Sequence, residues 1–163
     1  MDAALQLRSR MDFFRRRCQE HGLTGTHQRQ ILYRALAESD DHPSPEALYE
    51  RVKRKIPAIS LGTVYRNIKL FREIGLLKEP TPLHELSRLD ANLSDHHHLI
   101  CRSCGSITDL PAEQVESVHF REGIPSGFKI ERYEIEILGL CRLCGAKSKA
   151  SGTSESPKQK SEK

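Results

Sequence analysis

The chain has 163 residues, 37% of them hydrophobic and 29% charged, with a formal net charge of +4. That length suits one domain or two small ones, no apolar run is long enough to span a bilayer, and the opening MDAALQLRSRMDFFRRRC is broken by charges where an apolar signal core would lie. A cytoplasmic location is expected, and there four paired cysteines point to metal rather than to disulfides.

The charge is uneven. Residues 1–80 hold 15 Lys and Arg against 10 Asp and Glu, and the remainder 11 against 12. The basic front half is the one suited to face nucleic acid. Leu5 to about Gly22 reads as an amphipathic helix, with Leu7, Met11, Phe14 and Cys18 at helical spacing and Gly22 as its stop. Cys18 belongs to the core, while Arg15, Arg16 and Arg17 offer either phosphate contacts or a solvated face. Thr24 or Thr26 caps a second helix through about Glu38 that buries Ile31, Leu32, Ala35 and Leu36. Ser44 is an N-cap with Pro45 at the first helical position, and Pro57 stops that third helix.

In ISLGTVYRNIKLFREIGLL, Ser60 caps, Val64, Ile68, Phe71 and Ile74 form one apolar stripe, and Gly75 sits at C′. The other side carries Thr63, Tyr65, Arg66, Asn67, Lys69 and Arg72. Two short helices with the second presenting such residues suit a helix-turn-helix, although any surface helix shares this period. Arg and Asn can read guanine and adenine edges, whereas lysines hold phosphates. Leu76 to Asp90 reads as a β-hairpin wing. Beyond it, His98, Ile100 and the run 106–110 suggest short strands, and Val115 and Val118 a short helix ending near Gly123. Tyr133, Ile135 and Ile137 alternate with charged residues as a half-buried strand. From about Ser148 the sequence is low in apolar groups and is expected to be disordered. The expected division is 1–92, a winged-helix domain with hinge, then 93–147, a small α/β domain, then a tail over 148–163. The fold class is α+β.

Two matched pairs, Cys101-x-x-Cys104 and Cys141-x-x-Cys144, are separated by residues 105–140. Four thiolates favour tetrahedral zinc in a closed structural site, against two disulfides or a redox dithiol. In His96-His97-His98, a strand would turn the outer two one way and His97 the other. With Asp90, Asp109 and the distant His42 they could make a five-ligand site suited to ferrous iron or manganese. Each residue alone is also readable as a surface histidine or a capping aspartate. A metalloenzyme would use the same donors, but no substrate-binding motif accompanies them. A zinc-ribbon module would leave His42 and SLGTVYRN unused.

QRQILYRAL, HPSPEALYERV, ISLGTVYRN, LSRLD, DHHHLICRSCGSITDL and GLCRLCG, in this order, resemble the ferric-uptake-regulator superfamily over roughly residues 20–147. The resemblance implies a homodimeric, metal-responsive repressor of transcription, not an enzyme, that binds double-stranded operator DNA. It implies a winged helix followed by an α/β dimerisation domain. It assigns structural zinc (Zn2+) to Cys101, Cys104, Cys141 and Cys144, and regulatory Fe2+ or Mn2+ to His42, Asp90, His96, His98 and Asp109. Asp109, where iron sensors usually carry Glu, and Asp90 resemble the peroxide-sensing branch, in which a ligand histidine is oxidised; His42 and His96 match the oxidised positions. The alternative is an iron- or manganese-responsive repressor without peroxide sensing. DNA contacts are expected from Arg17, Thr63, Tyr65, Arg66, Asn67, Lys69 and Arg72. A further site using His97 would need a histidine where this chain has Tyr133, and the wing lacks the family's turn glycine.

Overall fold

The computed structural model describes residues 3–78, 88–116, 118–120 and 123–150. The chain separates into two compact units, Met1–Asp95 and His96–Lys163. The first holds α1 (Ala3–Glu20), α2 (His27–Ala37), α3 (Pro45–Lys53) and α4 (Leu61–Glu73). The second holds β1 (His96–Cys101), β2 (Ile107–Pro111), a 3-10 turn (Ala112–Gln114), β3 (Glu136–Gly139) and α5 (Arg142–Ala150).

Local chemistry sets the helix ends of the first unit. Thr26, Ser44 and Ser60 are N-caps whose hydroxyls accept from the amides of Arg29, Ala47 and Thr63 at 3.3, 3.2 and 3.1 Å, satisfying donors that the first turn leaves open. Pro45 begins α3, where a missing N–H costs nothing. Both α1 and α4 end in Schellman turns. Gly22 (φ 63°) and Gly75 (φ 68°) take the left-handed position, with Leu23 N–H donating to Cys18 O at 2.8 Å and Leu76 N–H to Phe71 O at 2.7 Å.

The helices close over one apolar core that includes Phe14, Leu32, Tyr33, Leu36, Leu48, Val52, Val64, Phe71 and Leu76. Its centre is aromatic. Phe14 stacks on Tyr33 at 5.0 Å, and Phe71 meets both edge-on at 6.0 and 5.7 Å. Such pairs add about 0.5–1.5 kcal/mol each beyond area burial. Cys18 lies in this core, as expected for a lone thiol.

The second unit is a three-stranded mixed sheet of order β2-β1-β3. β1 runs antiparallel to β2, pairing His98 with Asp109, and parallel to β3, pairing His98 with Glu136. Two expectations fail here. Val115 and Val118 do not share a helix: one 3-10 turn ends at Gln114 and Val115 is extended. Two apolar residues by themselves are too little to drive a short helix. The strand expected from Tyr133 begins instead at Glu136, although Ile135 O already accepts from His98 N–H at 3.0 Å. α5 also extends to Ala150, past the expected start of the tail at Ser148, because Ala146, Lys147 and Ala150 are good helix formers. The wing expected within 76–90 falls largely on 79–87, and the rest of the tail on 151–163; both stretches lie outside the described residues.

Candidate metal centres and nucleic-acid interface

The four cysteines meet in the second unit. Cys101 closes β1, Cys104 follows in the turn to β2, and Cys141 and Cys144 flank the start of α5. Their sulfurs lie within 4.8 Å of one another, none is in a disulfide, and Cys104 Sγ is 3.8 Å from Cys141 Sγ. Tetrahedral zinc with bonds of about 2.3 Å requires sulfurs about 3.8 Å apart, whereas a disulfide would hold them near 2 Å. Backbone amides aim into the cluster: Cys141 N–H donates to Cys101 Sγ at 3.3 Å. Hydrogen bonds from the amides of Cys141 and Cys104 draw the Cys101 thiol down to about 6. Cys144 goes the other way. Ser103 lowers it, but the neighbouring sulfurs of Cys141 and Cys104 outweigh that and push it to about 11. Four sulfurs this close cannot all ionise without a cation between them, so the donor set fits zinc.

A second cluster lies on one face of the sheet. His96 and His98 point the same way, ring centroids 4.7 Å apart and Nε2 atoms 3.1 Å apart. Antiparallel pairing brings Asp109 of β2 opposite His98, placing its Oδ1 3.6 Å from His96 Nε2 and 3.9 Å from His98 Nε2. Adjacent donors around a six-coordinate metal with bonds of about 2.2 Å lie about 3 Å apart. Two imidazoles and a carboxylate so spaced fit Fe2+ or Mn2+. His97 faces the other side, stacked on Tyr133 at 5.6 Å, with its Nδ1 accepting from Ile135 N–H at 3.3 Å. All three histidines are buried. A carboxylate that sequence reasoning missed, Glu134, reaches His98 Nδ1 at 2.9 Å.

The first unit holds the two remaining donors together. His42 Nε2 is 3.8 Å from Asp90 Oδ1, with His42 buried. Leu89 N–H donates to Pro43 O at 3.0 Å, tying the hinge to the His42 loop. Asp90 Oδ1 accepts from Asn92 N–H at 2.7 Å. His42 is the one non-glycine residue at positive φ (47°) among the described residues, a strained conformation of the kind that surrounding structure holds at functional positions. Arg51 grips the neighbouring Asp41 with both guanidinium arms, which holds that carboxyl below its usual range.

On α4, Tyr65, Arg66 and Lys69 are exposed, and Thr63 and Arg72 partly so. Tyr65 donates its hydroxyl to Glu46, and Arg66 donates to Thr63 Oγ1 at 3.0 Å. Asn67 corrects the expectation that it faces outward. It is buried, donating to Thr63 O at 2.8 Å and accepting from Arg29 Nε at 3.4 Å, because its register places it beside the apolar stripe. Arg17 is likewise engaged internally: its Nε donates to Ile74 O at 2.7 Å, satisfying a carbonyl at the end of α4.

The profile of the Ferric uptake regulator family matches residues 20–138. The chain belongs to that family. It is similar to the peroxide operon regulator of Bacillus subtilis (strain 168), 38% identical over 128 residues that cover 78% of this chain and 88% of the relative. It is similar also to the peroxide-responsive repressor PerR of Staphylococcus epidermidis (strain ATCC 12228 / FDA PCI 1200), 36% identical over 123 residues, 76% and 82% of the two chains. Among solved structures, the Campylobacter jejuni peroxide stress regulator superposes with a TM-score of 0.57 at 26% identity, covering 77% of this chain and 95% of that one. Members of this family are transcriptional regulators, and this chain is a regulator rather than an enzyme. No helix among the described residues is long and apolar enough to cross a membrane.

Proposed function

We propose that this chain is a homodimeric, metal-dependent repressor that binds double-stranded operator DNA in the cytoplasm and senses hydrogen peroxide. The supporting observation is the set of His96, His98 and Asp109, three nitrogen and oxygen donors converging on one face of the sheet, chemically distinct from the all-sulfur cluster on the same sheet. Family membership and the likeness to peroxide-responsive repressors point the same way.

His42 and Asp90 complete the regulatory ligand set. They belong to the DNA-binding unit, so an ion that all five residues would hold would fix the two DNA-binding units of a dimer at a separation matched to half-sites about one helical turn apart. Coupling of this kind is worth about 1–3 kcal/mol. Tyr65 and Arg66 contact base edges, with Thr63 beside them, and Lys69 and Arg72 hold phosphates. Arg17 and Asn67 act indirectly, by fixing α4. When bound, ferrous iron activates peroxide. With that chemistry supplied, the imidazole of His42 or His96 would gain one oxygen on a ring carbon, and the other oxygen would leave as water with both hydrogens, a two-electron oxidation. The oxidised ring is a poor ligand, and DNA is released.

The test uses duplexes selected from a random pool by the manganese-loaded protein. His42→Ala should lose the manganese-dependent part of binding; undiminished metal dependence would sink the clamp. Ferrous protein treated with peroxide should gain one oxygen on His42 or His96 by mass spectrometry. Metal-dependent binding without that gain would instead assign an iron- or manganese-responsive repressor.

A further inference from the structure

We infer that Glu134 is a positioning residue that sets the tautomer and aim of His98 for the regulatory metal. The inference rests on the reading of His98 as a ligand. Glu134 Oε1 lies 2.9 Å from His98 Nδ1, with side chains 25% and 11% exposed. An ionised carboxylate only accepts, so Nδ1 must carry the proton. The lone pair is then on Nε2, the atom that faces His96 Nε2 at 3.1 Å and Asp109 Oδ1 at 3.9 Å.

The segment that carries Glu134 is not loosely placed. Ile135 O accepts from His98 N–H at 3.0 Å, Ile135 N–H donates to His97 Nδ1 at 3.3 Å, and Tyr133 stacks on the His97 ring. His97, which the regulatory site does not use, thereby docks residues 133–135 against β1. Glu134 is held between these two anchors with its carboxylate on His98. A carboxylate behind a ligand histidine raises the basicity of the ring and fixes its orientation. It also explains how a buried imidazole beside a second imidazole is kept in the tautomer that ligates through Nε2.

The experiment uses full-length, zinc-loaded protein as wild type, Glu134→Ala, Glu134→Gln and His98→Ala, with manganese titrated alone as the probe. Glu134→Ala should weaken manganese binding about 10-fold at unchanged zinc content. Before manganese is added, long-range 15N spectra should show His98 leaving the Nδ1–H tautomer in Glu134→Ala. Glu134→Gln keeps an acceptor oxygen and should keep that tautomer and more of the affinity. Unchanged manganese affinity and an unchanged His98 tautomer in Glu134→Ala would overturn the inference. If His98→Ala binds manganese as wild type does, the site assignment itself falls. If His98→Ala loses binding and Glu134→Ala does not, only the role of Glu134 falls.

Discussion

Removing zinc should unfold the second unit and leave the first intact. Among the described residues, all 18 buried residues of the apolar core cluster lie before Asp95 and the second unit contributes none. Among the described residues its buried apolar side chains are Ile100 and Cys101. Burying one such aliphatic side chain is worth about 1.5–3 kcal/mol, whereas a structural zinc supplies about 10–16 kcal/mol of apparent binding energy in small metal-organised domains. The sheet therefore depends on the ion and the first unit on its packing. Cys141→Ser removes a ligand next to the amide that donates to Cys101, and chelation removes the ion outright. Amide hydrogen exchange read by mass spectrometry separates the units. Peptides from α2 should keep their protection after either treatment, and peptides from β1 should lose it. Native-level protection of β1 in zinc-free protein would refute the reasoning, since some other interaction would then have to hold the strand.

Three further outcomes are expected. Gly75→Ala forces a side chain into the left-handed region, and its Cβ would lie 3.3 Å from an Arg17 guanidinium nitrogen; thermal melts should show a loss of about 1–2 kcal/mol. Lys69→Ala should weaken binding to all duplexes alike and lower the slope of log affinity against log salt by about one, as for a single phosphate contact. Burial pushes the Tyr33 phenol up to about 12. Its folded value is raised above the unfolded one near 10, so its contribution is fully present below about pH 10 and declines as pH rises toward 12. In an alkaline titration Tyr33 should ionise after the exposed Tyr65, and Tyr33→Phe should remove that late step.

The helices of the first unit were legible because their signals are local. Ser44, Ser60, Gly22 and Gly75 act on the backbone within a few residues, and the 3.6-residue stripes of α1, α2 and α4 mark which face is buried. Period-2 alternation likewise placed His96 and His98 together and turned His97 away. Where no local signal exists, the fold is not legible in the sequence. The Val115–Val118 spacing looks helical, but nothing in the sequence says whether a surface waits to receive it. Asn67 sits at the edge of its helix face, and only the presence of Arg29 and the Thr63 carbonyl decides that its amide turns inward. Arg17 has the composition of a phosphate contact, and only the fold shows its Nε donating to Ile74 O at the end of α4.

Residue types and spacing by themselves pointed to the all-sulfur site, whereas the mixed imidazole–carboxylate set was one reading among others until the family resemblance singled it out. Tertiary structure decided geometry and second partners. Sheet register put Asp109 opposite His98, the docking of residues 133–135 brought Glu134 behind its ring, and the hinge bond from Leu89 to Pro43 set Asp90 beside His42. The physical reason is range: a cap, a turn or a chelating pair is settled within about four residues, whereas these contacts join positions tens of residues apart that only folding brings within hydrogen-bonding distance.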